Sequence, residues 1–257
     1  MNCKKITYFD YNATAPLKKS ACNSMLEVMY APLNPSSIHE YGRQAKKILN
    51  DATKNILSSI GAENSSIIFT SSGTESNNTA LNAIKNVGIF ITSAIEHISV
   101  LKPLEGKNNI IVIPVDNNGM LDLNELERVL KENSGKKILV SVIHANNETG
   151  VIQNIKEITR IVFEHKGFLH FDCSQSLGKT PFNFDDIGAD MVTLSSHKLG
   201  GPKGVAALVI KKGLEVNSFI KGGAQQKFLR AGTENLPAIK GFAEAISESV
   251  GNLKNYK

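Results

Sequence analysis

Seven short apolar runs, dense in Ile and Val, recur along the chain, with helical periodicity in many of the stretches between them. They are Ile67–Thr70, Ile89–Thr92, Ile110–Ile113, Ile138–Ile143, Phe168–Asp172, Met191–Leu194 and Val205–Ile210. Runs that are apolar on both faces do not fit a half-solvated sheet; they fit strands covered on both sides, the mark of a mainly parallel sheet. Apolar spacing predicts helices over 17–30, 38–58, 74–86, 122–132, 155–165 and 236–250. Alternation of this kind predicts a doubly wound α/β fold whose ligands bind beyond the carboxyl ends of the strands. The last two strands are joined by His197–Gly204, too short for a crossover helix, so they are expected to be antiparallel neighbours. Without internal repeats, low-complexity tracts or linkers, the 257 residues read as one large domain.

Composition excludes several classes. At 41% hydrophobic and 21% charged the chain has the make-up of a soluble globular protein. The net charge of +5 is spread along the chain with no dense basic run, so nucleic acid is not an expected partner. No apolar stretch approaches the roughly 18 residues that a membrane-spanning helix needs. The opening Met1–Asp10 turns polar too early for a secretory signal. Cys3, Cys22 and Cys173 form no metal-binding spacing, and a reducing, cytoplasmic compartment is the natural reading.

Two strand ends carry the chemistry. Lys198 lies in Leu194–Gly204 (LSSHKLGGPKG), just past an apolar run and backed by rigid turn residues. Asp172 ends the apolar run of GFLHFDCSQS. A lysine that can hold an aldehyde, with a carboxylate that can keep a pyridine nitrogen protonated, is the pair that pyridoxal phosphate (PLP) chemistry requires. A buried strand-end carboxylate also needs a partner, which a protonated pyridine supplies. The alternative for Lys198 is a solvated loop lysine. In Thr70–Asn78 (TSSGTESNN), Ser72 and Glu75 have capping-box spacing. Gly73 and Thr74 at that helix start are candidate phosphate ligands, and a plain helix cap is the alternative. Ser195 and His197 flank Lys198 closely enough to join them. His97, after the second strand, can stack on a cofactor ring and move protons, or it can be a helix-terminal or core histidine. Asn147 and Gln175 can hydrogen-bond a ring oxygen; turn chemistry and a solvated helix start are their ordinary readings.

In this order the motifs resemble a NifS/IscS-type cysteine desulfurase, an aminotransferase class V member with the PLP fold type I. The resemblance runs through Tyr8–Pro16, Asn34–Ser37 with His39 and Gly42, Ser72–Asn77, Glu96-His97, His144–Gly150, Asp172–Gln175, Ser195–Lys198 and Arg230–Asn235, nearly the whole chain. It implies that Lys198 is the Schiff-base lysine, that Asp172 pairs with the ring nitrogen and that His97 stacks on the ring and acts in catalysis. It implies a phosphate site of Gly73, Thr74, Ser195 and His197, with Asn147 and Gln175 near the ring oxygen. It further implies a homodimer in which Thr233 reaches the partner's phosphate. The substrate is then L-cysteine, which yields alanine and a protein persulfide that supplies iron–sulfur assembly or tRNA thiolation. On this resemblance residues 1–20 form an N-terminal segment on the core and 21–257 the PLP-binding large domain.

Family members continue past Asn235 into a long helix and a smaller C-terminal domain, which carries the nucleophilic cysteine and a carboxylate-binding arginine. That domain is expected to be missing here, leaving exposed apolar surface and a chain that is incomplete as an enzyme unless a separate C-terminal chain or a sulfur-transfer scaffold partners it. None of Cys3, Cys22 and Cys173 is expected to substitute; Cys173, adjacent to Asp172, reads as a small buried hydrophobe. The rival readings are another class V lyase or transferase, such as a selenocysteine lyase, and a non-catalytic dimerising scaffold.

Overall fold

The computed structural model describes residues 7–255 and gathers the seven strands into one sheet; Cys3 lies outside the described residues. The strands are β1 (Ser66–Thr70), β2 (Ile89–Ser93), β3 (Ile110–Ile113), β4 (Ile138–Ile143), β5 (Phe168–Asp172), β6 (Met191–Ser195) and β7 (Ala206–Ile210). Their order across the sheet is β1-β7-β6-β5-β4-β2-β3. The β6–β5–β4–β2–β3 pairs are parallel, while β7 runs antiparallel to both β6 and β1. The short His197–Gly204 link thus makes the expected antiparallel pair. Because β7 reverses direction against both neighbours, β1 runs the same way as β6. The carboxyl ends of β1, β2, β4, β5 and β6 therefore open on one edge.

The six helices read from the sequence form as α1 (Lys19–Met29), α2 (Glu40–Ser59), α3 (Gly73–Ala83), α5 (Leu123–Glu132), α6 (Ile155–Glu164) and α8 (Leu236–Gly251). Two others, α4 (Ile98–Glu105) and α7 (Phe184–Ile187), leave little periodic trace. α4 spans barely two turns and contains Pro103, and α7 is a single turn between the Asn183 cap and left-handed Gly188 (φ 71°). Side-chain caps set most of the starts: His39, Ser72, Asp122, Asn154 and Asn235 each accept from a first-turn amide of α2, α3, α5, α6 and α8.

The two sheet faces are covered unequally. One carries the larger core, with Ile56, Leu126, Leu130, Ile158, Phe184 and Phe242 against Val140, Phe171 and Val209. The other is covered by α3 and α4, with Ala80, Leu81, Val100 and Leu104 against Ile68, Leu139 and Leu208. α8 lies along α1 and α2. Gly241 permits that approach, since a Cβ there would sit 2.7 Å from Met25 Cγ and 3.2 Å from the Ala21 carbonyl oxygen. Residues 10–18 run as a loop back across the sheet edge, where the Ala15 amide donates to the His197 carbonyl and the Lys18 amide to the Gly200 carbonyl. Among the described residues no helix is long and apolar enough to cross a membrane.

Candidate active site

A cavity of about 530 Å³ opens where the strand carboxyl ends meet. Nine of the sequence-derived candidates line it: Gly73 and Thr74 after β1, His97 after β2, Asn147 after β4, Asp172 and Gln175 at and after β5, and Ser195, His197 and Lys198 at and after β6. Lys198 and Asp172 thus face the same space. The parallel register explains why: Asp172 pairs with Ile143 on one side and Thr193 on the other, so β4, β5 and β6 end nearly level.

Asp172 is 4% exposed. Its Oδ2 accepts from Asn77 Nδ2 at 2.7 Å and its Oδ1 from the Ser174 amide at 2.9 Å. Both donors are neutral, and among the described residues no cation lies within ion-pair distance of this carboxylate. A buried carboxylate so held would suit a protonated ring nitrogen placed in the cavity. Gly73 makes the second fit. A Cβ at Gly73 would lie 3.2 Å from Ser174 Oγ and 3.6 Å from Ser195 Cβ, filling the cradle that a phosphate needs. Ser72 Oγ accepts from the Glu75 amide at 3.2 Å, as expected for the cap. The reciprocal half of the capping box does not form; the Glu75 carboxylate instead takes the Ser71 amide (2.8 Å) and the Arg230 guanidinium (2.8 and 3.2 Å). That turns the carboxylate's charge toward Arg230 at the start of α3.

His97 caps α4, its Nδ1 accepting from the Ser99 amide at 3.1 Å, while its exposed ring lines the cavity. His97 is thus a helix-terminal histidine whose ring also borders the cavity. Lys198 sits in a 3-10 turn, half-buried, and its Nζ donates to the Asn12 carbonyl. Burial lowers its pKa, opposed by the charges of Asp172 and Asp10. Burial likewise lowers the pKa of His197, helped by the Lys198 and Lys203 charges. Gln175 Nε2 donates to the same Asn12 carbonyl at 2.9 Å, and its Oε1 accepts from Lys179 Nζ at 2.8 Å.

Thr233 stands apart: it is exposed in the loop before α8 and does not line the cavity. Two lining residues, Asn12 and Asn77, fall inside the motifs Tyr8–Pro16 and Ser72–Asn77 without a role of their own being readable there. Asn12 is a hub, because its carbonyl takes both Lys198 and Gln175 and its Nδ2 donates to the Asn147 carbonyl at 3.0 Å. Asn77 lies inside a helix where its spacing suggested nothing. The one sequence cue that could have marked it is the low helix propensity of Asn in a helix interior. Cys173 is fully buried, its Sγ 3.8 Å from His144 Nδ1, and burial pushes its thiol pKa up. Neither Cys173 nor Cys22 lines the cavity.

A parallel-sheet core, a lysine and an acid at adjacent strand ends and a glycine-opened helix start define the large domain of a fold type I transferase. The sequence matches the aminotransferase class-V family over residues 7–251. It is 40% identical over 257 residues to cysteine desulfurase IscS of Dictyoglomus turgidum, covering 96% of this chain and 64% of that protein. The chain thus spans about two thirds of the length of that curated relative. The solved NifS-like protein from Rickettsia africae superposes with a TM-score of 0.92 at 38% identity, covering 96% of this chain and 70% of that one. SspA, solved in complex with cysteine, superposes with a TM-score of 0.87 at 33% identity, covering 94% and 72%. The chain belongs to the aminotransferase class-V family, in its NifS/IscS cysteine desulfurase group.

Proposed function

We propose that this chain is the PLP-binding large domain of a cysteine desulfurase, with Lys198 as the residue that bonds the cofactor. The observation that carries the reading is the meeting of Lys198 and Asp172 in one cavity beside the Gly73 cradle. When bound, PLP supplies an aldehyde for the amine and a cationic ring that withdraws electrons from the substrate. The chain's own residues set this up. Lys198, its pKa lowered by burial, has more of its amine unprotonated and is aimed by the Asn12 carbonyl. Asp172 would hold the proton on the ring nitrogen. Gly73, Thr74, Ser195 and His197 would hold the phosphate, and Asn147 and Gln175 the ring oxygen. His97 would lie against the ring face and move a proton at Nε2. Thr233, exposed and outside its own cavity, would serve the phosphate site of a second copy in a homodimer.

The proposed substrate is L-cysteine, the ligand with which the similar SspA was solved. L-cysteine plus a thiol gives alanine plus the persulfide of that thiol, so a second sulfur is required. Since neither described cysteine lines the cavity, that thiol comes from outside residues 7–255. The proposed setting is the reducing cytoplasm, where Cys22 and Cys173 stay as thiols.

The test is direct. The purified chain mixed with PLP is expected to gain the absorbance of protein-bound cofactor, and Lys198→Ala to lose it. A chain that never takes up PLP would refute the reading. Residues 7–255 alone are expected to release no alanine from L-cysteine; steady alanine release by that fragment would place the thiol within it.

A further inference from the structure

Asn77 sits in α3, is 1% exposed, and spends both protons of its amide nitrogen. One goes to Asp172 Oδ2 at 2.7 Å and the other to Ser99 Oγ at 2.8 Å. Its own Oδ1 is buried with no hydrogen-bond partner. The orientation of the amide follows, since turning it over would put its oxygen against the Asp172 carboxylate. Ser99 Oγ, having accepted from Asn77, gives its proton to His97 Nδ1 at 2.7 Å, where the Ser99 amide also donates at 3.1 Å. With Nδ1 an acceptor, the imidazole proton resides on Nε2. Asp172 and His97 belong to different strand ends, β5 and β2, and no direct hydrogen bond joins them. Among the described residues Asn77 is the side chain that bonds the acid and, through Ser99, the imidazole.

We propose that Asn77 is a positioning residue that couples Asp172 to His97, holding the carboxylate in its cavity-facing rotamer and the imidazole in the Nε2–H tautomer. The inference rests on the PLP reading of the cavity and adds to it. Asp172 meets the cofactor ring from β5 and His97 from β2, and Asn77 makes their orientations depend on each other. Leaving one buried donor or acceptor unmet is enough to weaken binding at the cavity by about tenfold.

The experiment uses Asn77→Leu, which keeps the branched shape and removes both donors, Ser99→Ala, which cuts only the arm toward His97, and the double variant. The ring nitrogens of His97 are read by 15N NMR on the chain without PLP, with His97→Gln assigning the signals among the six histidines. PLP affinity is read by absorbance and melting temperature alongside. Asn77→Leu is expected to weaken PLP binding by about tenfold and to move the His97 signals. Ser99→Ala is expected to move the same signals with a smaller loss of PLP affinity, and the double variant to move them no further than Ser99→Ala alone. His97 signals unmoved in folded variants, or PLP affinity unchanged in Asn77→Leu, would overturn the coupling. A fall in melting temperature alone would mark Asn77 as merely structural and overturn it too. Should Asn77→Leu not fold, Asn77→Ser with Ser99→Ala decides by the same NMR criterion. A wild-type chain that binds no PLP would defeat the functional reading, while the His97 signals would still decide the coupling.

Discussion

Replacing Glu96 by Gln isolates one buried acid. Glu96 is 6% exposed; its Oε1 accepts from the Ile143 amide at 2.8 Å and from the Ser93 hydroxyl, while Oε2 is buried without a partner. Burial raises its pKa to about 8 against those hydrogen bonds, with the nearby Asp172 charge adding to the rise. In the folded chain the group therefore keeps a proton that the unfolded chain gives up near its ordinary value of 4.5. The stabilisation is fully present below that value and is lost as pH rises through about 8. One proton of difference is worth about 1.4 kcal/mol per pH unit. Gln has the same shape and does not titrate, so any packing or hydrogen-bond change it brings is a constant offset. The stability of Glu96→Gln relative to wild type is expected to rise by about 3 kcal/mol between about pH 5.5 and about pH 7.5. His144 and His170, both pushed by burial to about 4, act in the opposite sense: their contribution is lost as pH falls below the ordinary histidine value. They are present in both proteins and cancel in the difference. Urea unfolding across the window gives the two curves directly. Parallel curves would mean that Glu96 does not hold a proton in the fold, and the reasoning would fail.

Other outcomes follow from the same structure. Arg230→Met leaves Glu75, whose side chain is 10% exposed, without its cation, and is expected to cost about 2 kcal/mol in denaturant unfolding, less than a fully buried pair because Arg230 is itself 20% exposed. Equal stability would show that Ser71 alone holds that carboxylate. Cys173 is expected to resist a thiol reagent in the native chain and to react only on unfolding, while half-exposed Cys22 labels readily. Rapid native labelling of Cys173, located by peptide mapping, would contradict its burial.

Much of the fold is legible along the chain. β3, β4 and β5 form over Ile110–Ile113, Ile138–Ile143 and Phe168–Asp172 as read, because burial on both faces leaves a dense apolar signature. α4 escaped because eight residues with an internal proline carry too few turns to show a period. β1 is legible as a strand, but its place beside β7 is not, since the pairing of Ser66 with Ile210 is a matter of topology and not of local pattern. In the cavity, groups at strand ends were legible because a polar residue that closes an apolar run has few other uses. The roles of Asn12 and Asn77 are not, although both fall within quoted motifs, because neither closes a run.

Residue type and period by themselves determined where strands and helices lie and which chemical groups stand at their ends. That is a local matter: each apolar run must be covered, and each buried charge must be met. Only the tertiary structure decided which of those groups touch. Lys198 reaches Asn12 across 186 residues, Glu75 meets Arg230 across 155, and Asp172 meets Asn77 across 95. Contacts so distant in sequence are set by the order in which the sheet stacks its strands. A hydrogen bond between them requires positions accurate to a few tenths of an ångström, and no one-dimensional pattern carries that information.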